Sequence, residues 1–81
     1  MKIEYIKWLD ARGVSTGWEF KEDATMNLSE IISVGHVIEE TDTKVVVCPN
    51  MDNTEEPQVC GIMAIPKVNI IERYELTKSV V

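Results

Sequence analysis

Apolar and polar residues alternate along several short stretches of the chain, most clearly in two β-branched runs, residues 30–39 and 44–48, joined by a polar connection. That pattern predicts an antiparallel hairpin. Before it, Ile3, Tyr5, Ile6, Trp8 and Leu9 interleave with Lys2, Glu4 and Lys7, which predicts a first strand over residues 2–9. Gly13 and Gly17 mark a loop over 10–17, and Trp18-Glu19-Phe20 alternates again as a stub of strand. Residues 21–29 read as a loop with room for one helical turn capped by Asp23. Gly35, inside the second strand, predicts a bend or bulge.

Pro49 stops the third strand and opens an acidic loop, 50–57. Residues 58–65 are apolar on both faces, as in a strand buried on two sides, and Pro66 ends them. Val68, Ile70, Tyr74 and Leu76 then mark a fifth strand over 68–76, and 77–81 is an end expected to fray unless a neighbouring subunit covers Val80 and Val81. Five short strands, a long first connection and a bent second strand predict an all-β fold, a small five-stranded SH3-like or Sm-like barrel, with an OB-like barrel as the alternative. One domain spans 1–81, its core expected from Ile3, Tyr5, Ile32, Val34, Val45, Val47, Ile62, Ile65, Ile70 and Tyr74.

Length adds a constraint, because a chain of 81 residues buries only about 60% of its unfolded surface. With 44% apolar residues it has hydrophobic surface to spare, so a homo-oligomer is expected. A net charge of −6 repels phosphate backbones and disfavours nucleic acid as a partner. Charges at Lys2, Glu4 and Lys7 make the N-terminus neither a signal-peptide core nor a membrane span, so the expected location is the cytoplasm, with Cys48 and Cys60 as reduced thiols.

Candidate chemistry is sparse. Trp8 and Trp18 can form a platform for a planar base, with Arg12 in the loop between them reaching a phosphate, although a core role competes for both indoles, and for Trp8 above all. Lys67 and Arg73 bracket the turn at Pro66 and could hold an anion; solvated charge is the competing reading. The single histidine, His36, has no evident partner or nucleophile and is read as structural. Asn50, Asp52, Asn53, Glu55 and Glu56 lack the glycine and final glutamate of a calcium loop, and Cys48 and Cys60 match no zinc spacing. No metal, cofactor or catalytic residue is therefore assigned, and a non-enzyme is expected.

Trp8-Leu9-Asp10-Ala11 with Gly17-Trp18, Ser33-Val34-Gly35 with Glu39-Glu40, and Gly61-Ile62-Met63-Ala64-Ile65-Pro66-Lys67 before the last strand together resemble a family of small phage and prophage proteins. The chain departs from that likeness at His36, where a large apolar residue is expected, and in the 49–57 loop. The resemblance implies a virus-encoded accessory protein of the bacterial cytoplasm that counters host defence, by sequestering a small nucleotide-derived signal or by binding a host protein. For the first reading the ligand-binding residues expected are Arg12, Trp18, Lys67 and Arg73. An Sm-like ring gathering Arg12, Lys44, Lys67 and Arg73 to bind single-stranded nucleic acid is the remaining alternative.

Overall fold

A computed structural model describes residues 2–79. Seven strands form in chain order: β1 (Ile3–Asp10), β2 (Ser29–Glu40), β3 (Lys44–Cys48), β4 (Asn50–Met51), β5 (Val59–Cys60), β6 (Met63–Pro66) and β7 (Ile70–Leu76). Five make one antiparallel sheet in the order β6-β3-β2-β1-β7, and β4 with β5 make a separate two-stranded hairpin. The fold is all-β, as the alternation predicts. It is not a barrel: β6 and β7 are the two edges of the sheet and do not pair with each other.

β2 is long because it serves two neighbours. Ser29 to His36 pairs with β1, and His36 to Glu40 pairs with β3, with a register shift between Val37 and Glu39 where one strand hands over to the other. The bulge therefore lies just beyond Gly35. The glycine itself is needed for close approach, since a Cβ there would stand 2.7 Å from the carbonyl oxygen of Cys48. At the β2–β3 turn, Thr41 Oγ1 accepts from the backbone N–H of Thr43 and of Lys44, so the short polar connection is closed by its own hydroxyl.

The expected fourth strand is broken. Gly61 sits at φ +80° between β5 and β6, a left-handed conformation that turns the chain, and a Cβ there would also meet the Pro49 ring at 2.9 Å. The acidic loop instead carries β4: Asp52 Oδ1 accepts from Gln58 N and Thr54 Oγ1, and Asp52 N donates to Gln58 O. The turn at Pro66 winds into a 3₁₀ turn, Lys67–Asn69, whose first N–H donates to Thr43 O. A second 3₁₀ turn, Lys21–Asp23, has no side-chain cap, and the stub expected at Trp18-Glu19-Phe20 is not a strand. Thr77 to Ser79 is exposed and outside any strand; Val80 and Val81 lie outside the described residues.

Ile6, Trp8, Val45, Val47 and Ile65 form the core, with Ile31, Val37, Met63 and Ile70 packed against it. Buried Trp8 donates its indole N–H to Ser33 Oγ at 3.1 Å, which satisfies the polar handle of its ring. Of the ten residues expected in the core, Val45, Val47 and Ile65 are buried, Tyr5 and Ile70 are half-buried, and Ile3, Ile32, Val34, Ile62 and Tyr74 are exposed. The correction has a simple cause. On β1 and β2 the strand pairing puts Ile6 and Trp8 over Ser33 and Ile31 on one face, and Tyr5 over Val34 on the other, and β3 and β6 cover only the first.

Exposed surface totals 6675 Å², with a radius of gyration of 16.9 Å. A compact chain of this mass would expose about 4,900 Å² with a radius near 12 Å. Two regions that contribute to the excess are the uncovered sheet face and the segment 11–28, every residue of which is exposed.

Candidate functional site

Two of the expected anion-binding cations meet, but around carboxylates. Arg73, opposite Ile6 on β7, forks onto Glu4 through Nε to Oε1 at 2.8 Å and Nη2 to Oε2 at 3.0 Å. The same guanidinium reaches Glu40 at 2.9 and 3.3 Å, and Lys67 Nζ closes on Glu40 Oε2 at 2.8 Å. Two cations and two carboxylates make a neutral cluster, with Glu4 buried at its inner end. Hydrogen bonds from Arg73 and Lys67 hold the Glu40 carboxyl down at about 2, and those from Arg73 to Glu4 and Glu40 raise the guanidinium above its ordinary value. An incoming phosphate would have to displace Glu40. Lys44 is likewise engaged, 3.8 Å from Glu39.

Arg12 and Trp18 lie apart from that cluster, in the arm formed by residues 11–28. Arg12 Nε donates to Ser29 Oγ at 3.1 Å at the base of the arm, and among the described residues it has no carboxylate partner. Trp18 is fully exposed, and Val14, Phe20, Met26 and Leu28 are bare as well. Trp18, Glu19, Phe20 and Asp23 line a cleft of about 320 Å³. Its walls are two aromatic rings and two carboxylates, a combination that receives an apolar or cationic group better than a phosphate. The glycine before Trp18 is the sequence signal for it, whereas Phe20 falls in the expected stub of strand and Met26 and Leu28 in the expected loop, with nothing local to mark them as exposed together.

The uncovered sheet face is the second surface. Tyr5 stacks on Tyr74 across β1 and β7 with ring centroids 4.6 Å apart, and Ile3, Ile32, Val34 and Leu76 surround the pair. At one end Lys7 stands between Glu30 at 3.5 Å and Glu72 at 3.6 Å. A third feature is a cavity of about 490 Å³ between the β4–β5 hairpin and β2 at His36, where β2 passes from β1 to β3, lined in part by His36, Met51, Asp52 and Cys60. Both cysteines are free thiols, Cys48 buried and Cys60 exposed on the hairpin. Among the described residues no helix is long and apolar enough to cross a membrane. Comparison with protein-family models, with curated proteins and with solved structures gives no match to this chain.

Proposed function

We propose that this is a non-catalytic accessory protein of phage type that acts by binding another protein through its arm. The observation that carries the reading is the arm itself: Trp18 and Phe20 bare beside Glu19 and Asp23, on a chain of net charge −6. Exposed aromatic side chains are the residues that dominate binding energy once a partner buries them, and acidic neighbours steer in a basic partner. The occupant that fits is a host-protein segment presenting an apolar side chain flanked by Lys or Arg. Binding to a purified partner of that chemistry should weaken with added salt and should fall at least tenfold in Trp18→Ala, while circular dichroism stays unchanged.

A second reading, sequestration of a small nucleotide-derived signal, is favoured by Arg12 alone: its guanidinium, without a carboxylate partner among the described residues, stands at the base of the arm that carries Trp18. An indole stack with a guanidinium fork contributes on the order of 1–3 kcal/mol per stacked base. Heat-denaturing protein recovered from lysate of infected cells separates the two readings. Mass spectrometry of a released nucleotide, lost in Arg12→Ala and Trp18→Ala, would replace protein binding by sequestration. A stoichiometric protein partner with no released nucleotide supports the first reading.

A further inference from the structure

We propose that the open face of the sheet is an interface between two copies of this chain, packed face to face about a two-fold axis. The inference does not depend on what the arm binds. It starts from the surplus of about 1,700 Å² over a compact chain of the same mass, to which the open sheet face contributes beside the arm. Part of the surplus is one flat patch on β1, β2 and β7: Ile32 is 56% exposed, Val34 52% and Tyr74 47%, with Ile3, Leu76 and half-buried Tyr5 beside them. These side chains leave about 500 Å² of apolar surface bare, so burying the patch in two copies removes about 1,000 Å², the lower bound for a specific interface.

A second copy is the occupant because the patch complements itself. Its centre carries no charge. Its one cation, Lys7, is held between Glu30 and Glu72 of its own chain and requires no opposite charge from a partner. A two-fold axis lays an apolar centre on its own copy without stranding a buried charge, as an isologous interface requires. The arm leaves β1 past Asp10, and neither Trp18 nor Phe20 belongs to the patch.

Sedimentation over roughly 1–100 μM protein tests this, since mass action makes the species concentration-dependent. The expected result is a species of twice 9.2 kDa. Val34→Glu should raise the dimer dissociation constant roughly 100-fold or more by burying a charge against its own copy. Ile32→Lys, at a second exposed site, should do the same if Val34→Glu disturbs the fold by circular dichroism. Trp18→Ala should leave the mass unchanged. A single 9.2 kDa species throughout overturns the proposal. Undiminished dimers in both face variants overturn it equally, in favour of pairing along the free edge of β7.

Discussion

On β1, β2 and β7, one face carries Ile6, Trp8, Ile31 and Ile70 and packs against β3 and β6, whereas the other carries Ile3, Tyr5, Ile32, Val34, Tyr74 and Leu76 and lies outside the core cluster. The second face is the richer in large apolar residues, yet it is the bare one. What separates them is chain direction after the bulge of β2: β3 and β6 return over the first face and close the core there with Val45, Val47 and Ile65. Hydrophobicity thus marks both faces for burial, and topology decides which of them one chain can bury.

The largest expected effect comes from truncating the covered face. Ile6→Ala should lose about 2–5 kcal/mol of unfolding free energy, because the fully buried Ile6 side chain leaves a cavity in a core of five buried residues. Val34→Ala, on the bare face, should change the stability of a single chain by no more than about 0.5 kcal/mol, and any larger loss should grow with protein concentration. Urea denaturation at two concentrations measures both. Equal losses in the two variants at high dilution would break the distinction between the faces.

Arg73→Ala should come next, at about 3 kcal/mol, because it strands the buried Glu4 carboxylate without its fork of hydrogen bonds. If Arg73→Ala unfolds at the same urea concentration as the parent chain, Glu4 is not held by that pair. Gly35→Ala should follow at about 1–3 kcal/mol, since the added methyl meets the Cys48 backbone and the strands must part where β2 passes from β1 to β3. A neutral Gly35→Ala would show that this crossing yields easily.

Period-two alternation made β1, β2, β3 and β7 legible to within about two residues at each end, even though β2 changes neighbours at its bulge. It could not choose between faces. Ile3 and Tyr5 are as apolar as Ile6 and Trp8, and the deciding contacts with Val45 and Ile65 join residues far apart in the chain. The break at Gly61 was hidden by apolar residues on both sides of it. The Glu4–Arg73–Glu40–Lys67 cluster left no local trace either, its central pair being 69 residues apart. Trp18 was only half legible: the glycine before it favours a projecting side chain, which its full exposure matches, but its alternation with Phe20 predicts a stub of strand and left a core role open.

The smallest effect concerns that cluster and acid. Glu40 titrates near 4.5 when free and at about 2 in the folded chain, where Arg73 and Lys67 hydrogen-bond its charged form. A depressed carboxyl contributes stability that is fully present above pH 4.5 and is lost as pH falls toward 2, since the unfolded chain takes up the proton first. Glu40 lies at the surface, so water and salt screen its contribution. Thermal midpoints of the parent and of Glu40→Gln should therefore differ at pH 7, with the variant lower, and should converge as pH drops from 4.5 to 2. A gap that stays constant through that window would mean that Arg73 and Lys67 do not hold Glu40, and Lys67 would then be free for an external anion while Arg73 stays on Glu4.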